Sequence, residues 1–462
     1  MKIAMIASEV VPFAKTGGLA DVVGALPLVL EDCGQEVIVI MPRYKCVKDG
    51  TFKTSRVSRN VSSAVIGNGV KVYFIENEAY FNRDGLYVDK NGDYRDNLDR
   101  FSFFCRRALD LLKEIDFCPD ILHLHDWQAS LAAVYLKNLY AGVPFYRKIK
   151  SILTIHNLGY QGLFAAEEFD KLGLDKGLFG VSALEFYGRI NILKGGIIFS
   201  DLINTVSPTY AEEIQGEELG FGLDGLLRER KDALSGIVNG LDYYVWDPNT
   251  DSFIMQNYSI DTIDDKSFNK QDLQSACGLK QDKDVPVLGI VSRLVEAKGL
   301  DILTQALDEM CKMDLQLVIL GLGEAKYHQA LLAAQKKYPG KISMNLRFDD
   351  PLAHKIYAGS DVFLMLSKYE PCGLGQLISL HYGTIPLVFK TGGLADTINK
   401  NNGFVLTRRN KDEFVNLLKK ALIVFKDKEK WRRLMKAAMK CNFSWEASAK
   451  KYLQLYAKAK ES

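Results

Sequence analysis

The sequence predicts an α/β protein made of two doubly wound parallel sheets, and three observations carry that reading. Short apolar runs recur between helix-patterned stretches. The runs are continuous rather than alternating, as for strands buried on both faces. The series breaks off over 243–284, a polar stretch holding Asp247-Pro248-Asn249 and Asp264-Asp265, and then resumes. At 462 residues the chain has length for two or three domains.

Taken in order, the first half predicts strands over 3–7 (IAMIA), 37–41 (VIVIM), 72–75, 121–124 (ILHL), 152–155 (ILTI) and 202–206. The second half predicts them over 287–291 (VLGIV), 315–320, 342–346, 362–366 (VFLML) and 385–389. Residues 411–440 carry Phe414, Leu417, Leu418, Ala421, Leu422 and Phe425 at helical spacing on a Lys/Arg-rich background, which reads as amphipathic helices with a solvated face. The domain switch is expected near 240–250. Ligands of doubly wound sheets bind beyond the carboxyl ends of the strands, so a cleft between the halves is the expected site.

Composition narrows the partners. Lys plus Arg number 59 against 57 Asp plus Glu, a net charge of +2 that excludes a nucleic-acid coat or a polybasic membrane binder. No apolar run approaches the ~20 residues of a membrane span, and Met1-Lys2 leads straight into a strand rather than a signal segment. The eight cysteines form no CxxC pair, so they read as reduced thiols of a cytoplasmic protein.

The chemistry-bearing residues cluster after the predicted strands. Lys15-Thr16-Gly17-Gly18-Leu19-Ala20-Asp21 follows the first strand, and the same heptapeptide returns at 390–396. It is no Walker loop, but a cation beside a glycine turn at a helix start suits a phosphate or diphosphate. Arg293 and Lys298 follow the strand 287–291, placed to neutralise a leaving diphosphate. Glu370-Pro371-Cys372-Gly373-Leu374 follows 362–366; Glu370 is suited to accept from sugar hydroxyls, and Cys372 reads as a small buried residue before an activated thiol. His123 and His125 share one face of their strand, with Asp126 at its exit; HxH lacks a further zinc ligand. His156-Asn157 exits the next strand in the same way. Gly321-Leu322-Gly323 lacks the third glycine of a dinucleotide fingerprint.

Together these residues resemble the bacterial and plant-type glycogen (starch) synthase family. The likeness runs through KTGGLADV at 15–22, DYRDNLDRFSFF at 93–104, HLHDWQ at 123–128, TIHNLGYQG at 154–162, NTVSPTYAEEI at 204–214, VNGLD at 238–242, SRLVEAKG at 292–299, EPCGLGQL at 370–377 and TGGLADT at 391–397. The resemblance implies a GT-B fold, with Rossmann-like domains over 1–242 and 243–445 facing across a cleft and a final helix, 446–462, crossing back to the first. It implies retaining transfer of glucose from ADP-glucose to the non-reducing end of an α-1,4-glucan or glycogen, without cofactor or metal. Lys15, Gly17, Gly18 and Asp21 are then expected near the donor, and Arg293 and Lys298 on its diphosphate. Cys372, Gly373 and Leu374 are expected at the same place. Glu370, His156, Asn157 and Asn239 are expected around the glucose, and Asp126 on the acceptor side. Tyr94, Asp96 and Asn97 match a family motif without an assigned duty. One departure is visible: Gly375 stands where the family usually carries Thr. Two rivals stay open, a phosphorylase of the same fold requiring pyridoxal phosphate and a glucan-binding homologue without turnover.

Overall fold

The computed structural model describes residues 1–47 and 52–461. Contacts divide the chain into one unit of Met1–Gly240 with Trp445–Ser462 and a second of Leu241–Ser444.

In the first unit the strand order across the sheet is Leu234–Gly236, Leu202–Thr205, Lys150–Ile155, Ile121–His125, Lys2–Ile6, Glu36–Pro42, Val70–Ile75, Val61–Ile66 and Ser55–Ser58. All pair in parallel up to Val70–Ile75; the last two add an antiparallel edge. Lys2–Ile6 sits centrally, with Glu36–Pro42 on one side and Ile121–His125 on the other, so the chain reverses its winding there. Such a reversal splays the connections apart and opens a crevice at the carboxyl ends.

The second unit repeats the plan. Its order is Ile342–Asn345, Gln316–Leu320, Val287–Val291, Val362–Met365, Ile385–Phe389 and Phe404–Leu406, all parallel. Its reversal lies between Val287–Val291 and Val362–Met365. Every strand predicted from an apolar run is present. The strands that escaped prediction are the antiparallel edge of Ser55–Ser58 and Val61–Ile66, the latter interrupted by Ser62-Ser63, the three-residue Leu234–Gly236 and Phe404–Leu406, a small separate sheet of Leu163–Ala165, Arg189–Asn191 and Glu185–Phe186, and the two-residue pair Val88–Asp89 and Gly92–Asp93.

Residues 411–440 form helices Lys411–Lys426 and Lys428–Met439, broken at Asp427, whose side chain caps the second. The last helix, Trp445–Glu461, buries Trp445, Ser448, Ala449, Tyr452, Leu455, Tyr456 and Ala459, one stripe at helical spacing, in the core of the first unit. The chain therefore leaves that unit at Gly240 and re-enters it at Trp445. Gly240 is tight here, because a Cβ on it would lie 2.5 Å from the Trp445 Cα. Leu241 N donates to Phe443 O at 2.7 Å, which ties the two ends of the second unit together.

Candidate active site

At the reversal point of the first sheet, the strand Lys2–Ile6 runs into Glu9, a carboxylate buried from solvent. Glu9 Oε1 accepts from Thr16 Oγ1 at 2.6 Å and from Tyr87 OH at 2.7 Å, while Oε2 accepts from Thr16 N and, at 3.3 Å, from Gly17 N. Two backbone N–H groups of the turn read as suited to a phosphate, those of Thr16 and Gly17, thus already hold a protein carboxylate. Gly17 and Gly18 also differ from expectation: neither has a positive φ, so no left-handed turn demands them. Nothing lies within 4 Å of where a Cβ would stand on either, and the pair leaves open space above the turn. Lys15 is exposed, its Nζ 2.7 Å from Asp21 Oδ1.

Asp126 takes a left-handed φ of 56° where Ile121–His125 passes into the helix Asp126–Asn138. Its Oδ1 accepts from His156 N at 2.7 Å, and burial pushes its carboxyl up to about 7. Behind it lies a ladder of neutral imidazoles. His123 Nδ1 is 2.9 Å from Tyr456 OH, its Nε2 is 2.7 Å from Thr154 Oγ1, and His125 Nδ1 is 3.0 Å from His156 Nε2. Burial lowers His123 and His156 to about 3 and His125 well below its usual range. Those four nitrogens engage each other and hydroxyls, while His125 Nε2 is buried with no partner among the described residues. Asn157 Oδ1 accepts from Gly159 N at 2.9 Å. Asn239 is 5% exposed, and among the described residues its Oδ1 has no partner. A buried acceptor left unsatisfied is costly, and a ligand hydroxyl would relieve it.

At the second reversal point Lys298 and Glu370 meet. Lys298 Nζ is 2.5 Å from Glu370 Oε2, which also accepts from Ser367 Oγ at 3.0 Å; Glu370 is 7% exposed. Lys298 reaches this place because Gly299, at φ 84°, lets the chain press against the strand end: a Cβ there would lie 2.2 Å from Leu366 O. Arg293 is exposed on the same loop. Cys372 is buried, as the residue type suggests, and Gly373 has a φ of 77°. The second heptapeptide works differently from the first. Gly392, at φ 43°, and Gly393 pack directly on the Glu370–Cys372 backbone, and Gly393 N donates to Glu370 O at 3.1 Å. Those glycines support the turn bearing Glu370.

Sequence reasoning missed Glu9 and Tyr87. The available signal was a carboxylate one turn beyond the central strand. The unassigned motif at 93–104 explains how Tyr87 is placed. Asn97 Nδ2 donates to Tyr87 O at 3.0 Å, and Arg100 Nη1 donates to Asn97 Oδ1 at 2.6 Å. Arg83 clamps Asp96 with two bonds of 2.7 and 2.6 Å, and Tyr94 lies against Arg83 and Arg100. Among the described residues, no group of three or more His, Cys, Asp or Glu is gathered to hold a metal.

Two Rossmann-type sheets, each with polar side chains beyond the carboxyl ends of its strands, are the architecture of GT-B glycosyltransferases, and solved structures carry the assignment to that class. The catalytic domain of starch synthase IV from Arabidopsis thaliana, bound to ADP and acarbose, superposes with a TM-score of 0.89 at 33% identity, covering 100% of this chain and 99% of that one. Sucrose-phosphate synthase from Thermosynechococcus elongatus shares the fold at a TM-score of 0.63 and 17% identity, covering 99% and 98%. The starch synthase catalytic domain model matches residues 2–229, and that of glycosyl transferases group 1 matches 277–440. The glycogen synthase of Geotalea uraniireducens (strain Rf4) is 47% identical, with 99% of this chain and 98% of the relative covered. That of Thermotoga maritima is 44% identical, with 99% of each covered. The chain belongs to the glycogen and starch synthase family of glycosyltransferases.

Proposed function

We propose that the protein elongates glycogen by transferring glucose from ADP-glucose to the non-reducing end of an α-1,4-glucan, with retention of configuration and without a metal, in the cytoplasm. The observation that carries this reading is the Lys298–Glu370 pair beside Arg293 at a strand-reversal point, in a chain of this family. The Arabidopsis relative bound to ADP supports the choice of base.

Bond cleavage passes through an oxocarbenium-like state while negative charge grows on the departing diphosphate. Arg293 and Lys298 neutralise that charge, with main-chain N–H groups at Gly373 and Leu374 and a further cation in Lys15. Donor binding draws the Lys298 ammonium between Glu370 and phosphate. Glu370, held from behind by Ser367, orients the sugar. His156, Asn157 and the unsatisfied Asn239 take its hydroxyls. Asp126 serves the acceptor side, Asp21 tethers Lys15, and buried Cys372 packs the turn. No second carboxylate is assigned opposite Glu370, as a retaining glycosidase would need. The acceptor therefore attacks on the face the diphosphate leaves, and that phosphate takes its proton.

The test offers radiolabelled ADP-glucose and UDP-glucose separately with glycogen, with and without EDTA. Label is expected in polymer from ADP-glucose, unaffected by chelator. Lys298→Ala or Arg293→Ala should lower kcat by about 100-fold, the scale of losing one charge-stabilising donor. Wild-type turnover in both variants, or incorporation only from UDP-glucose, would overturn the reading.

A further inference from the structure

Four non-glycine residues among those described have positive φ: Asp116, Asp126, Tyr187 and Phe221. Two are aromatic, a type for which this conformation is a true outlier; Phe221 stands beside the loop that carries His156 and Asn157, and Tyr187 stands beside the Phe221-Gly222 turn. Tyr187-Gly188, at φ 50° and 75°, is the two-residue tip joining Glu185–Phe186 to Arg189–Asn191. Phe221-Gly222, at 47° and 81°, forms a neighbouring turn.

The two turns touch. A Cβ on Gly222 would lie 2.9 Å from Phe186 Cζ and 3.5 Å from Tyr187 Cε2, so only glycine admits the rings this close. Phe186 and Tyr187 meet edge-on with centroids 4.7 Å apart. Phe221 reaches the site loop, its Cζ 3.6 Å from the Cβ position of Gly159. Gln161 fastens the parts together: its Nε2 donates to Phe221 O at 3.1 Å, and its Oε1 accepts from Asn191 Nδ2 at 2.6 Å. Despite this bracing the rings face water. Tyr187 is 82%, Tyr160 58% and Phe221 39% exposed. Strained backbone that holds large aromatic rings outward is a pattern of ligand clamps rather than of packing.

We propose that Tyr160, Phe186, Tyr187 and Phe221 form an outer subsite on which the glucan chain stacks its sugar rings. The proposal rests on the reading above. The glucan is the occupant the surroundings favour, because the platform is continuous, through Gly159 and Asn157, with the loop assigned to the transferred glucose. A sugar ring offers a C–H face to an aromatic ring, and its hydroxyls keep their water at the rim, as an amphipathic stacking partner requires. The platform then holds the chain behind its growing end and favours long acceptors over short ones.

The test is equilibrium binding of maltoheptaose, maltose and ADP to the full chain, by titration calorimetry. The decisive variant is Tyr187→Asn, because Asn-Gly is the preferred pair for such a hairpin tip and the fold keeps its turn. Maltoheptaose should bind about tenfold more weakly, a loss of one stacking contact, with maltose, ADP and Tm unchanged or Tm raised. Tyr187→Phe should bind as wild type. Unchanged maltoheptaose affinity in Tyr187→Asn, equal losses for ADP, or a wild-type chain that binds no maltoheptaose would overturn the proposal. So would a variant that alters only the sedimentation of the protein, the outcome for a contact between two copies. Weaker maltoheptaose binding in a chain that transfers no glucose would keep the subsite and reject the reaction.

Discussion

Asp126 makes a pH-dependent contribution whose sign is fixed. Its folded carboxyl titrates at about 7, against about 4 for the unfolded group. Between those values the folded protein binds a proton that the unfolded chain has released, so stability falls as pH rises through this window and is fullest below it. Asp126→Asn keeps an oxygen for His156 N and suits a left-handed φ. Urea midpoints measured at about pH 4 and about pH 8 should therefore differ less for this variant than for the wild type. Gly375 answers a different question. A Cβ there would meet Phe363 Cε1 at 3.0 Å, Tyr357 OH at 3.3 Å and Met365 Sδ at 3.4 Å, so the side chain the family usually carries would point into the core of the second unit. Gly375→Thr should lower Tm, by the few degrees of about 1–3 kcal/mol of overpacking, and leave the KM for the sugar donor unchanged. At this scale the position of Glu370 and Lys298 was legible, though not their duty, since a place after a buried strand foretells where a side chain emerges. Their pairing was not, because it depends on the backbone approach that Gly299 permits.

The turn 15–17 depends on its neighbours for its shape. Its amides are gripped by Glu9, Glu9 by Tyr87, and the Tyr87 segment by Asn97 and Arg100. Glu9→Gln keeps one oxygen for the Thr16 and Gly17 amides and turns its NH2 to the hydroxyls of Thr16 and Tyr87, so the geometry survives while the charge that strengthens those bonds is lost. Exchange of those two amides should quicken by about tenfold, read by hydrogen–deuterium exchange, the scale of one lost charge-assisted bond. Unchanged protection would mean that the turn holds its shape unaided. The motif at 93–104 was visible as a string, yet its work is done by contacts far along the chain, which spacing alone does not encode. The repeated heptapeptide gives the converse lesson: identical residues hold open space at Gly17-Gly18 and close backbone packing at Gly392-Gly393, because strand context decides.

For the molecule as a whole, the apolar runs foretold the strands, while sheet order needed the pairings. The reversal beside Lys2–Ile6 comes from which strands become neighbours, not from the composition of any one of them. The last helix belongs to the first unit through buried polar bonds as well as packing. Tyr456→Phe leaves His123 Nδ1 without its hydroxyl partner and should cost about 1–3 kcal/mol in urea unfolding; a loss below a few tenths would mean that water replaces the hydroxyl.

The return of the chain at Trp445 has a consequence for synthesis. A ribosome completes Leu241–Ser444 before the piece that finishes the earlier unit exists. The later-made module, its ends already clasped by Leu241 and Phe443, is free to fold at once. The earlier-made one waits, with an uncovered flank, for the final helix to emerge.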